Sequence, residues 1–158
     1  MATDKIVNQN IRAFADMLAY SEGTDRHGQP TANSGYDVLV GGELFTDYSD
    51  HPRKRVWIPK YKIYSTAAGR YQILEKMFDA YKSVIPLPDF SPESQDLYLL
   101  QIIKEQGAYS DIVTGKLQSA IDKLADQWAS LPGSKYGQQT NQYESLRSFF
   151  ILSGGEVS

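Results

Sequence analysis

The sequence predicts one α+β domain over residues 1–158, mainly helical and with a small antiparallel sheet of three strands. The length of 158 residues suits one domain with a substantial core. Apolar residues recur at helical spacing near both ends of the chain. Alternating and β-rich runs are confined to about residues 36–65. We therefore expect a sheet lobe of about 36–65 within an otherwise helical domain.

The first helix is predicted over residues 9–22. Its apolar residues follow the spacing i, i+3, i+4, i+7: Ile11, Phe14, Ala15 and Leu18. Gly23 ends it, as glycine commonly does one residue past a helix. The polar stretch "GTDRHGQPTANSG" that follows is typical of a loop.

The sheet is predicted in the next segment. The stretch "YDVLVGGELFTDY" places two β-rich runs around Gly41 and Gly42, which indicates a hairpin turn. The runs "RVWIP" and "KYKIYS" add alternating apolar positions, so a sheet of three strands is expected.

The remainder of the chain is predicted to be helical. "SPES" begins one helix with a Ser cap and a first-turn Pro, and Gly107 closes it. Three other apolar stripes indicate helices: Leu74, Met77, Phe78 and Tyr81; Leu117, Ala120, Ile121, Leu124 and Trp128; Tyr143, Leu146 and Phe150.

Composition excludes several classes of protein. The net charge of −3 gives no general attraction to nucleic acid or to anionic membranes. The basic stretch "HPRKRVWIPKYK" is short and is interpreted as a solvated strand. Cysteine is absent, so the fold needs no disulfides. Neither a signal peptide nor a membrane span is apparent, so we expect accumulation in the cytoplasm and no membrane insertion.

Glu22 is the carboxylate most suited to catalysis. At 100° per residue it lies about 20° from Ile11 and about 40° from Leu18 around the helix. Partial burial and the negative end of the helix dipole both raise the pKa of such a carboxyl, as a general acid near neutral pH requires. The alternative interpretation is a solvated residue at a frayed helix end.

Other catalytic chemistries lack the residues that they need. Asp47, Asp50 and His51 in "TDYSDH" are a possible metal cluster, but a polar turn is the favoured interpretation. His27 and His51 are the only histidines, and no nucleophile elbow or phosphate-binding loop is present. We therefore expect neither a metal nor a cofactor.

Several long segments resemble the lambda-type lytic transglycosylases of bacteriophages. They are "MLAYSEGTD", "GYDVLVGGELFTDYSDHPRK", "STAAGRYQIL", "DFSPESQD" and "WASLPGSKYGQ", in the family's order. The resemblance implies a lysozyme-like fold, with a cleft between a helical lobe and the sheet lobe. It also implies cleavage of the β-1,4 bond between N-acetylmuramic acid and N-acetylglucosamine in peptidoglycan.

The same resemblance implies the site residues. Glu22 matches the family's single catalytic glutamate. "GRYQ" matches a segment that lines the cleft opposite it, and "YGQ" matches a segment with a sugar-contacting tyrosine. The candidate substrate-binding residues are Arg70, Tyr71, Gln72, Tyr136, Gln138, Tyr36 and Asp37. Their amide and guanidinium groups suit hydrogen bonds to sugars and their rings suit stacking, although packing alone would also explain the tyrosines.

Three functions are compatible with these residues. The leading one, which the resemblance implies, is a phage endolysin that is expected to be a monomer and to act on peptidoglycan strands in the periplasm after a holin has permeabilised the host membrane. It is expected to form 1,6-anhydro ends, with Glu22 as its one catalytic carboxyl. The second is a muramidase that uses Glu22 with Asp37 or Asp47. The third is a glycan-binding module without catalysis, which the retained "SEG" disfavours.

Overall fold

A computed structural model describes residues 8–134 and 141–158. Helices dominate the described chain, and a short antiparallel hairpin follows the first of them, so the predicted α+β class is confirmed. The elements are α1 (Gln9–Glu22), β1 (Val56–Ile58), β2 (Ile63–Ser65), α2 (Glu75–Tyr81), α3 (Pro92–Glu105), α4 (Tyr109–Val113), α5 (Leu117–Leu124) and α6 (Tyr143–Leu152).

The sheet has two strands in the described chain, so the prediction of three was wrong. β1 pairs with β2, and Trp57 lies opposite Tyr64. The residues around Val38 make only isolated bridges, because their backbone groups are divided between two partner segments. Leu39 donates to the carbonyl of Glu43 at 2.7 Å, whereas Val40 donates to that of Ala67 at 3.0 Å. No continuous ladder therefore forms there.

α1 begins and ends where the sequence predicts. The Asn8 side chain caps its N-terminus, and Gly23 follows its last residue in the left-handed conformation at φ 82°. Nine of its 14 residues are buried, so the helix crosses the core instead of lying on the surface. Glu22 is thus carried to its position by a largely buried helix.

The later helices agree with prediction in part. α5 stops at Leu124, so Trp128 lies in the following loop, although it is still buried. The helix begun by "SPES" runs to Glu105, and Gly107 follows its cap at φ 73°, as predicted, whereas the short α4 was not predicted. α1 contacts both α4 and α6, so the helices of the second half pack around the first. No helix in the described part is both long and apolar enough to cross a bilayer.

Candidate active site

A cleft of about 640 Å³ opens at the C-terminal end of α1. Its walls come from α1, the β1–β2 hairpin, the segment that leads into α2, and the loop after α5. The residues that line it include Glu22, Val40, Ile58, Tyr61, Ile63, Gln72, Ile73, Met77, Asp126, Trp128 and Ser130. Aliphatic and aromatic side chains together make up most of the lining, which favours the neutral form of the Glu22 carboxyl.

Glu22 lies in this cleft, partly buried, as the last residue of α1. Burial raises its pKa to about 7, while hydrogen bonds from the Ser130 side chain and backbone act in the lowering direction. The Ser130 hydroxyl donates to Oε2 of Glu22. A carboxyl with this pKa is populated in both protonation states near neutral pH, which suits a group that both donates and accepts a proton. The predicted rise in pKa is confirmed.

The hairpin presents opposite faces to the cleft and to solvent. Ile58 and Ile63 are paired across the strands and line the cleft. Trp57 and Tyr64, one position along each strand, lie on the other face with ring centroids 5.0 Å apart. This alternation follows from the two-residue period of a strand.

Arg70 of "GRYQ" is buried, with 1% of its surface exposed. Its Nη2 lies 2.6 Å from Asp16 Oδ1, and its guanidinium lies 5.4 Å from the ring centre of Tyr36. Its carbonyl accepts a hydrogen bond at 2.6 Å from Thr24, two residues after Glu22. The predicted sugar contact by Arg70 is therefore corrected: its charge is neutralised inside the protein, where it fixes the end of α1.

The two tyrosines beside Arg70 are also buried. The hydroxyls of Tyr36 and Tyr71 both donate to Asp96, a fully buried carboxylate on α3. Tyr71 adjoins the cleft, but its ring is covered and its hydroxyl is already bound. The prediction that these rings stack on sugars is wrong, because neither has an exposed face.

Asp37 is buried as well. Its carboxylate accepts hydrogen bonds from the Thr31 hydroxyl at 2.5 Å and from the Ala32 amide at 3.0 Å, and so it fixes the loop before it. The predicted sugar contact by Asp37 is corrected on these grounds. Gln72 does line the cleft, and its amide donates to the carbonyls of Val38 and Gly69. Tyr136 and Gln138 lie outside the described residues.

The Asp47–His51 segment is a hydrogen-bonded turn. Asp47 accepts from the Ser49 amide at 2.9 Å, and Asp50 pairs with Arg53 at 2.8 Å. His51 faces the Ile73 carbonyl at 2.8 Å through Nε2 and accepts from the Arg53 amide through Nδ1. Both of its ring nitrogens are engaged. Within residues 8–134 and 141–158, no group of three metal-ligating side chains is placed to hold an ion.

A family model, Endolysin, matches residues 12–157. The chain belongs to the endolysin family. It is 55% identical to the endolysin of Escherichia phage lambda over 152 residues, which are 96% of this chain and 95% of the relative. It is also 46% identical to the endolysin of Escherichia phage P2 over 157 residues, with 94% of each chain covered.

Solved structures confirm the lysozyme-like fold of this endolysin. Bacteriophage lambda lysozyme complexed with a chitohexasaccharide matches with a TM-score of 0.93 and 54% identity. The match covers 96% of this chain and 98% of that one. A second structure, lysozyme from bacteriophage lambda, matches with a TM-score of 0.88, 54% identity and the same coverage.

The endolysin's cleft contains residues that the sequence did not indicate as parts of the site. Ser130 binds Glu22, and Trp128 donates from Nε1 to the Tyr71 carbonyl at 2.8 Å, which fixes the loop that carries Ser130. Asp126 of the same loop lines the cleft as a second acidic residue. Nothing in "ADQWASLPG" distinguishes these positions from packing or loop residues, because their partners lie more than 50 residues away.

Proposed function

We propose that this endolysin is a lytic transglycosylase that cleaves the N-acetylmuramic acid to N-acetylglucosamine β-1,4 bond and leaves 1,6-anhydromuramic ends. As a lysozyme-like endolysin it acts on peptidoglycan. The observation that carries the proposal is a partly buried Glu22 with a pKa of about 7 in a largely apolar cleft, whose described lining does not include Asp37, Glu43, Asp47 or Asp50. One carboxyl with both protonation states in reach is what the reaction needs.

In the first step, protonated Glu22 donates its proton to the glycosidic oxygen. The bond from that oxygen to C1 of muramic acid breaks, and N-acetylglucosamine leaves with a hydroxyl at C4. Positive charge develops on the muramic ring, and the Glu22 carboxylate that has just formed lies beside it. The apolar side chains of the cleft favour the neutral acid before the proton leaves.

In the second step, the 6-hydroxyl of the same muramic acid attacks C1. Glu22, now a carboxylate, takes the hydroxyl proton, so the enzyme returns to its protonated state. The attacking oxygen is already tethered to the reacting sugar, which gives it a high effective concentration. No water enters the product. A second carboxylate is unnecessary because the nucleophile belongs to the substrate, whereas hydrolytic glycosidases usually have two carboxylates.

The positions of the other carboxylates support this assignment. Asp37 is buried in its own loop, and Asp47 and Asp50 are hydrogen bonded within the turn that follows. One observation favours the second candidate, a hydrolytic muramidase: Asp126 lines the cleft together with Glu22. In that reaction Asp126 would activate a water or attack C1.

The substrate and the route to it are also part of the proposal. The lambda lysozyme structure is a complex with a chitohexasaccharide, and the close match of the two folds supports glycan binding in the corresponding cleft here. Gln72 is the predicted contact residue whose position in the cleft fits that role. Membership of a phage endolysin family supports release from the host cytoplasm to the periplasm through the action of a separate holin.

Digestion of purified sacculi followed by mass spectrometry tests the reaction. Transglycosylase products are lighter by one water than muramidase products, and borohydride does not reduce their muramic ends. A digest dominated by reducible ends would favour the muramidase. In that case Asp126→Asn should abolish the activity, because the hydrolytic reaction needs the second carboxylate.

A further inference from the structure

The carboxyl of Glu22 is the last member of a chain of polar side chains. Asn141 Nδ2 lies 3.0 Å from Ser21 Oγ, and Ser21 Oγ lies 2.7 Å from Ser130 Oγ. The Ser130 hydroxyl in turn binds Oε2 of Glu22. The three supporting residues come from the end of α1, the loop after α5 and the segment before α6. They therefore join three separate parts of the fold at the catalytic carboxyl.

The direction of these hydrogen bonds is fixed by chemistry. The Asn141 group that faces Ser21 also lies 3.0 Å from the Ser21 carbonyl, which only accepts, so this group is the amide NH₂. Ser130 donates its single hydroxyl proton to the carboxylate of Glu22. In the contact between the two hydroxyls Ser21 is therefore the donor, and Ser21 Oγ accepts from Asn141. Every hydroxyl proton thus points towards the carboxyl.

We propose that Asn141, Ser21 and Ser130 form a positioning chain that reserves Oε2 of Glu22 as a hydrogen-bond acceptor and so places the catalytic proton on Oε1. In a neutral carboxylic acid the carbonyl oxygen is a better hydrogen-bond acceptor than the hydroxyl oxygen, so the bond from Ser130 to Oε2 favours the form that has its proton on Oε1. The proton of the neutral acid is therefore held mainly on Oε1. The three residues act through Glu22 and need not touch the substrate.

The positioning chain also sets the balance between the neutral acid and the carboxylate of Glu22. Burial favours the neutral acid, and the Ser130 hydrogen bond favours the carboxylate. Without Ser130 the acid would be too weak to ionise readily, and the return of the proton in the second step would not be supported. The other titratable side chains that line the cleft are Tyr61, Tyr71, Lys76, Tyr98 and Asp126. All of them are retained in the variants below.

The test measures the pKa of Glu22 directly, by carbon-13 NMR titration of its labelled side-chain carboxyl. Ser130→Ala removes a hydrogen bond to an ionised group, so we expect the pKa to rise by about one unit. Ser21→Ala leaves Ser130 in place but removes the donor behind it, so a smaller rise is expected. Ser130→Thr keeps a hydroxyl and should restore the wild-type value. Ser110→Ala, at an exposed position on α4, is the matched control and should change nothing.

Kinetics provide the second readout. The basic limb of the pH profile of kcat/KM reports loss of the acid form of the free enzyme, so it should move to higher pH in Ser130→Ala. The loss of orientation should also lower kcat at the optimum by about 10- to 100-fold. A Ser130→Ala protein whose Glu22 pKa is unchanged or lower would overturn the proposal, as would a Ser21→Ala protein with a larger rise than Ser130→Ala.

The role of the proton in transglycosylation rests on the proposed function, but the titration does not. If digests contain reducible ends while the Glu22 pKa moves as expected, the transglycosylase assignment fails and the positioning chain stands. If the digests contain anhydro ends and the pKa does not move, the positioning chain fails alone.

Discussion

Glu22→Gln should stabilise the folded protein at neutral and alkaline pH while it removes the activity. Glutamine has the shape of glutamic acid and still offers Ser130 an acceptor oxygen, so the packing of the cleft is preserved. The pKa of Glu22 is about 7 in the folded protein, against an ordinary value of 4.5. Between these values the folded state retains a proton that the unfolded chain has released. The wild-type protein therefore loses stability as pH rises through this window.

The magnitude follows from the two pKa values. Their difference, at about 1.4 kcal/mol per pH unit, gives about 3 kcal/mol in the free energy of unfolding at pH 8. This cost is absent below pH 4.5, where both states are protonated, and it reaches its full value above pH 7. The side-chain amide of the Glu22→Gln variant does not titrate, so the stability advantage of the variant should grow across the same window and then become constant.

Urea unfolding of both proteins at pH 4, 6 and 8 measures this advantage. Glu144→Gln is the matched control, since Glu144 is exposed in the first turn of α6. That change removes a favourable charge from a helix N-terminus and should lower stability at pH 8 by about 0.3–1 kcal/mol. Clearing of sacculi by Glu22→Gln should fall by about 10²–10⁴-fold. A stability advantage that does not increase with pH would refute the buried-acid account of Glu22.

Other consequences concern the framework, the remaining carboxylates and delivery. Arg70→Met should lower the free energy of unfolding by about 1–3 kcal/mol, because it leaves the partly exposed Asp16 without its buried partner; a large rise in KM at unchanged stability would instead indicate sugar binding. Variants with a single Asn or Gln substitution of another carboxylate should retain a sizeable fraction of the lytic activity; the positions are Asp37, Glu43, Asp47, Asp50 and Asp126. Loss of activity in a stable Asp126→Asn protein would contradict the one-carboxyl mechanism. Cells that express the endolysin alone should lyse only after chloroform treatment, and prompt lysis without it would contradict holin-dependent release.

The features that sequence periodicity predicted well are local ones. α1 was predicted at its observed bounds because its apolar spacing and the following Gly23 are both signals within a few turns of helix. The position of Glu22 and the rise in its pKa followed from the same helix. The prediction of a third strand was wrong, although the Gly41–Gly42 turn does form. The residues before this turn divide their backbone hydrogen bonds between the segment after the turn and the segment around Ala68, so no continuous strand results. That competition is not visible in either segment alone.

The features that could not be predicted depend on partners distant in the chain. Arg70 and Tyr71 have side chains that usually reach solvent, so sugar contact was a reasonable expectation. Their burial depends on Asp16 and Asp96, which lie 54 and 25 residues away. Ser130 lies 108 residues from Glu22 and has no local signature. Resemblance to a family identified the cleft segments, but burial decided which side chains face the cleft.

Digestion of sacculi in water enriched in oxygen-18 tests the central claim most directly. A transglycosylase closes the muramic acid with its own 6-hydroxyl, so the new ends should carry no label and should be lighter by one water than hydrolysed ends. A muramidase incorporates one solvent oxygen at C1 of each new end. Unlabelled anhydro ends throughout the time course are the predicted result. New muramic ends that carry one oxygen-18 from the earliest time point would contradict the single-carboxyl mechanism assigned to Glu22.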